Sequence, residues 1–91
     1  MDRFRYKKIT RFANRVVIYT VDYCPYCHRA VDILKSKGID FQQIDVTNDH
    51  SMRKKLEKMT GSDTVPQIFV EGKSIGGCDD LEALYERGQS L

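Results

Sequence analysis

The chain of 91 residues has no tryptophan, only two prolines and only three cysteines. An odd cysteine count argues against a framework of structural disulfides. No apolar run approaches the ~20 residues needed to cross a bilayer, so no membrane span is expected. The first residues are polar and basic and hold no secretory apolar core, which predicts a reducing, cytoplasmic setting. Apolar residues make up 41% of the chain and charged residues 31%. That balance is far from the composition of a disordered chain. So short a chain supports a single core, which predicts a shallow site near the surface and not a deep cofactor cavity. The net charge is only +2, so neither nucleic acid nor a membrane is expected as a partner.

The small net charge hides an asymmetry. Arg3, Arg5, Lys7, Lys8, Arg11 and Arg15 stand against the single acid Asp2, whereas acids outnumber bases in the remainder. The chain therefore divides into a basic N-terminal extension, residues 1–14, and one domain over residues 15–91. The extension reads as a solvated arm; an RNA-binding or targeting arm is the alternative.

Cys24 and Cys27 form a C-x-x-C pair. That spacing serves either half of a zinc site or a dithiol that cycles with a disulfide. The remaining soft ligands are Cys78, His28 and His50, and they form no second pair. Closed zinc sites use four such ligands, so no metal site is expected and the redox use is favoured.

The pattern around the pair gives its context. Residues 16–19 form an apolar run without alternation, read as a central strand buried on both faces. Pro25 suits a first helical position. Cys27, Ala30, Val31 and Leu34 then recur at helical spacing, predicting a helix over 26–37 that Gly38 stops. Residues 41–46 read as a second strand, and 47–49 offer caps for a helix with Met52, Leu56 and Met59 facing inward. Residues 68–70 and 74–75, joined by a tight turn at 71–73, read as a hairpin. A Gly76-Gly77 kink leads to a last helix with Asp79 and Asp80 in its first turn and Leu81, Leu84 and Tyr85 as its core stripe. The order β-α-β-α-β-β-α predicts an α/β fold, a four-stranded mixed sheet flanked by three helices. The first β-α-β is parallel by a right-handed crossover. A C-x-x-C where a strand hands over to a helix is a thioredoxin-like redox signature.

Three motifs sharpen this: Cys24-Pro25-Tyr26-Cys27-His28-Arg29-Ala30, Thr64-Val65-Pro66-Gln67-Ile68-Phe69-Val70 and Ile75-Gly76-Gly77-Cys78-Asp79-Asp80-Leu81. In this order and spacing they resemble the glutaredoxin family, most of all its small bacterial dithiol members. The resemblance covers residues 15–91. It implies a thioredoxin-like fold and a glutathione-dependent thiol–disulfide oxidoreductase that reduces protein disulfides and glutathione mixed disulfides. Glutathione would be the co-substrate, with no tightly bound cofactor. The partners implied are disulfide-containing or glutathionylated proteins, ribonucleotide reductase among them, and indirectly glutathione reductase with NADPH. A monomer is expected.

In thiol–disulfide exchange the thiolate attacks. The free N–H groups and positive dipole end of the first helix favour an anion on Cys24, and Cys27, one turn on, is expected to be more buried. Cys24 is thus the attacking residue and Cys27 the resolving one. The resemblance assigns glutathione contacts to Tyr26, Arg53, Thr64, Val65, Pro66, Gly77, Cys78, Asp79 and Asp80. It implies a cis peptide at Val65-Pro66, leaving the main chain of Val65 to pair with an extended peptide. Residues 77–79 lead into a helix N-terminus suited to the γ-glutamyl carboxylate. Asp79 and Asp80 face its ammonium or simply cap the helix. Arg53 would meet the glycyl carboxylate, with Lys54 and Lys55 as weaker candidates. Tyr26 is either a wall of the glutathione site or a surface residue that stiffens the turn. Many family members carry a lysine three residues before the first cysteine; here Val21 stands there. Cys78 reads first as a packing residue. Two rival functions remain open: an iron–sulfur carrier bridging two chains through Cys24, and a thioredoxin-like electron carrier served by thioredoxin reductase.

Overall fold

The computed structural model describes residues 15–91; the basic extension at 1–14 lies outside them. Strand β1 (Val16–Thr20) buries alternate residues: Val16, Ile18 and Thr20 fully, Val17 and Tyr19 in part. Helix α1 (Pro25–Ser36) follows, with Pro25 in its first turn. Its buried residues are Cys27, Ala30, Val31 and Leu34, the stripe read from their spacing. Strand β2 (Gln42–Asp45) and helix α2 (His50–Thr60) come next. Strands β3 (Gln67–Val70) and β4 (Lys73–Gly76) form the hairpin, and helix α3 (Cys78–Glu86) closes the chain.

The sheet order is β2-β1-β3-β4. β1 runs parallel to β2, with Tyr19 opposite Ile44, and antiparallel to β3, with Ile18 opposite Ile68. β3 and β4 are antiparallel, with an irregularity at Ile68/Phe69: Phe69 faces Ser74 while Ile68 faces Gly76. Ile75 is the extra residue. Such a bulge bends its strand, and here it lies just before the start of α3.

The central strand is not equally buried on both faces, as the unbroken apolar run had implied. Val16, Ile18 and Ile68 pack with Ala30, Val31 and Leu34 of α1 and Leu81 of α3. Two helices cover that face. On the other, Tyr19, Ile44 and Met52 of α2 pack around Val21, Cys27 and Val46, and Tyr19 stands edge-on to Phe69 at 5.6 Å. One helix cannot exclude water as fully as two. Each fully buried leucine stabilises such a core by about 2–5 kcal/mol relative to alanine.

The α2 stripe is also corrected at its end. Leu56 is buried and Met52 half-buried, but Met59 is 59% exposed. Thr60 takes the inward place: its hydroxyl donates to the carbonyls of Leu56 and Ser62. Asp49 is the residue that caps α2, accepting from the Met52 N–H at 3.0 Å. Among the described residues, no helix is long and apolar enough to cross a membrane.

Candidate active site

β1 ends at the sheet's centre and delivers Cys24 to the N-cap of α1, in extended conformation. The Cys24 carbonyl accepts from the N–H groups of Cys27 and His28. Its sulfur accepts from the Cys27 N–H at 3.3 Å, so an amide already faces the place where an anion would form. As a thiol, the same sulfur donates toward the Val65 carbonyl at 3.7 Å.

Cys27 differs sharply. It is 2% exposed, among Val21 and Val46. Burial pushes its thiol up to about 12; a main-chain hydrogen bond at Val21 opposes this, and the neighbouring Cys24 adds to it. Cys78, the first residue of α3, is buried too, and burial followed by Glu82 raises its thiol while Arg29 opposes. Of the three free sulfurs, only that of Cys24 is half-exposed. Val21, standing where a lysine is common, is itself 2% exposed and packs against Cys27. That position serves the core here.

The loop ahead of Cys24 is tied from both sides. The His28 ring Nε2 lies 3.0 Å from the Asp22 carbonyl, and the Asp22 N–H donates to the Thr47 hydroxyl at 2.9 Å. Thr47 in turn donates through its N–H and hydroxyl to Asp45, holding that carboxyl below its usual range. By sequence Thr47 is only a candidate cap for α2. A side chain that links two loops 25 residues apart leaves no local signal.

A cleft of about 330 Å³ lies between Tyr26, the segment Thr64, Val65 and Pro66, and the segment Gly77, Cys78, Asp79 and Asp80. These are eight of the nine residues assigned to glutathione. The Val65-Pro66 bond is cis. Tyr26 is 60% exposed and forms one wall. The Val65 carbonyl links the cleft to Cys24, and among the described residues the Val65 N–H has no partner. At the far end, one Asp80 oxygen accepts from the Gly77 N–H at 3.0 Å, and the other has no partner among the described residues. Gly77 permits the close approach that shapes the floor: a Cβ there would stand 3.1 Å from the Pro66 carbonyl oxygen.

Arg53 is the ninth residue, and it is not part of that lining. It is half-buried on α2, with its guanidinium 3.5 Å from the Asp63 carbonyl, beside the loop that leads to Thr64. Lys54 and Lys55 line a separate depression on α2 with Ser51 and Lys58. A wider, shallower depression of about 740 Å³ runs along the other flank of α1, past Tyr23 and Pro25, and includes none of the nine.

The arrangement is suited to disulfide exchange: an accessible sulfur, a buried second thiol one turn away, and an adjoining cleft with free main-chain groups. Comparison with known proteins agrees. The glutaredoxin family profile matches residues 16–75. The chain is 51% identical over 73 residues to glutaredoxin 3 of Escherichia coli K12, covering 80% of this chain and 88% of that one. It is 49% identical over 74 residues to a Pseudomonas aeruginosa glutaredoxin, covering 81% and 88%. Among solved structures it resembles a buckwheat glutaredoxin–glutathione complex, with TM-score 0.78 and 29% identity, over 89% of this chain and 78% of that one.

Proposed function

The chain belongs to the glutaredoxin family of thiol–disulfide oxidoreductases, and on that footing we propose that glutathione is its co-substrate, held in the cleft beside Cys24. One observation carries the reading: a cleft bounded by Tyr26, Val65 and the start of α3 adjoins the single accessible sulfur. The buckwheat relative, solved as a complex with glutathione, supports it.

The cysteinyl part of glutathione pairs its main chain with the N–H and carbonyl of Val65, like an added strand. Its γ-glutamyl carboxylate meets the open amides at the start of α3. The second oxygen of Asp80 and the exposed Asp79 face its ammonium. Arg53 approaches from α2 toward the glycyl carboxylate, acting at the cleft's rim.

Two routes follow. With a glutathionylated protein, the Cys24 thiolate attacks the glutathione sulfur. The protein thiolate leaves and takes a proton, and Cys24 carries the glutathionyl group. A second glutathione thiolate attacks that group's sulfur, releasing oxidised glutathione and the Cys24 thiolate. With a protein disulfide, Cys24 attacks one sulfur and holds the mixed disulfide. Cys27 loses its proton and attacks Cys24, which frees the protein dithiol and leaves the Cys24–Cys27 disulfide. Two glutathiones then reduce it. Glutaredoxin disulfides poise near roughly −200 to −230 mV, within reach of the glutathione pool.

In this reading residues 15–91 are the catalytic unit and residues 1–14 a basic extension. The protein works as a cytoplasmic monomer without a tightly bound cofactor. Disulfide-bonded or glutathionylated proteins, ribonucleotide reductase among them, are its partners, and glutathione reductase with NADPH recycles the oxidised glutathione.

A coupled assay tests the reading. Reduction of a mixed disulfide should proceed with glutathione, glutathione reductase and NADPH, and fail with thioredoxin reductase as the only electron source. The reverse outcome overturns it. An iron–sulfur chromophore in the anaerobically purified, catalytically inactive protein would do so as well.

A further inference from the structure

We propose that Gln67 is a positioning residue for this reaction: its side-chain amide holds the turn that presents the main chain of Val65 to the glutathione peptide. The proposal rests on the glutathione reading above. Gln67 opens β3 directly after Val65-Pro66 and is 4% exposed. Its Nε2 donates to two main-chain carbonyls, Ser62 at 2.7 Å and Thr64 at 3.0 Å. Both groups only accept, so the amide can be oriented in one way: a flipped oxygen would face two oxygens. The oxygen of the amide, in turn, is buried without a partner. A buried acceptor left unpaired is unfavourable. An apolar side chain of the same length would fill this place without that defect, so packing alone does not account for glutamine. The two donated bonds do.

Their target is the segment that matters for the substrate. Residues 62–64 lead straight into Val65, whose carbonyl faces the Cys24 sulfur and whose N–H is free among the described residues. Other bonds also shape this turn. The Ser62 and Thr64 hydroxyls lie 2.7 Å apart, and the Thr64 N–H donates to the Ser62 hydroxyl at 3.3 Å. Those groups are exposed, so water can replace either partner. The half-buried Thr60 hydroxyl also reaches the Ser62 carbonyl, at 3.2 Å, but stops there; Gln67 is the buried side chain that spans Ser62 and Thr64 together. It does not touch Cys24, so it acts on how the peptide pairs and not on the sulfur's own reactivity.

The test uses the whole chain with Gln67→Met, which keeps the length and removes both donors. Two substrates are compared: a glutathionylated peptide, and the same peptide disulfide-linked to 2-mercaptoethanol, which has no main chain to pair with Val65. The KM for the glutathionylated peptide should rise about five- to tenfold, as expected for weakening one or two main-chain hydrogen bonds. kcat, the KM for the mercaptoethanol disulfide and the alkylation rate of Cys24 should stay near wild type. A purely structural role would lower the melting temperature or the active fraction and leave that KM ratio untouched. An unchanged KM for the glutathionylated peptide, or an equal rise for both substrates, overturns the assignment. If the wild-type protein already treats both disulfides alike, the glutathione reading itself fails. Should Gln67→Met not fold, Gln67→Asn, too short to reach both carbonyls, is read by the same ratio.

Discussion

Gly76 and Asp80 should behave as a single unit. Gly76 ends β4 with φ +107, a region that side-chain-bearing residues rarely occupy. A Cβ built there would stand 2.1 Å from the Asp80 Oδ2, the atom that accepts from the Gly77 N–H. Gly76→Ala therefore does two things. It places a side chain in a strained conformation, costing about 1–3 kcal/mol. It also expels the carboxylate from its seat at the start of α3, forfeiting about 1 kcal/mol of capping. The sum is about 2–4 kcal/mol, and for a domain of this size each kcal/mol lowers Tm by about 4–8 °C. Asp80→Ala alone loses only the cap, about 1 kcal/mol. In the double variant the clash is gone, but the strain and the missing cap remain. It should thus match Gly76→Ala, and Asp80→Ala should cost almost nothing in that background. Thermal unfolding of the four proteins completes the cycle, with a coupling of about 1 kcal/mol. Strict additivity of the two substitutions would refute the reasoning.

Three further expectations concern the other elements. Cys27 sits above its ordinary 9.0 because it is buried, so its contribution to stability is complete below pH 9 and is lost as pH rises toward 12. The unfolding free energy from urea titration should fall with a slope approaching about 1.4 kcal/mol per pH unit, and Cys27→Ala should flatten that slope; an identical slope in the variant contradicts the burial argument. Asp49→Ala removes the α2 cap and should cost about 1 kcal/mol by denaturant titration while leaving kcat intact. Arg53→Ala should raise the KM for a glutathionylated peptide by roughly fivefold at low salt, with the difference shrinking as salt increases; a salt-independent effect would assign Arg53 to the Asp63 loop and not to a carboxylate.

Much of the architecture was readable because local chemistry and tertiary packing agree. The stripe of Cys27, Ala30, Val31 and Leu34 is buried as its spacing required. The eight cleft residues fall in three short motifs, each of which the backbone keeps together. What was hidden depended on partners distant in the chain. The exposure of Met59 follows from Thr60, whose hydroxyl turns back onto Leu56 and Ser62. The unequal faces of β1 reflect two helices on one side and one on the other. The bulge at Ile75 has no residue signature of its own. Arg53 sits on a helix face, and its distance from the cleft depends on how α2 packs and not on its neighbours in sequence. Gln67 lay outside the strand read at 68–70, yet it opens β3, and its bonds to Ser62 and Thr64 depend on how the turn folds back.

The two cysteines offer the most direct trial of the account, since it gives them separate tasks. Removal of glutathione from a glutathionylated peptide, followed in the glutathione reductase assay, needs only an accessible sulfur beside the cleft. Cys27→Ser should therefore retain this activity, whereas Cys24→Ser should lose it to the uncatalysed rate. Full activity in Cys24→Ser, or equal loss in both variants, would contradict the assignment of the reacting sulfur.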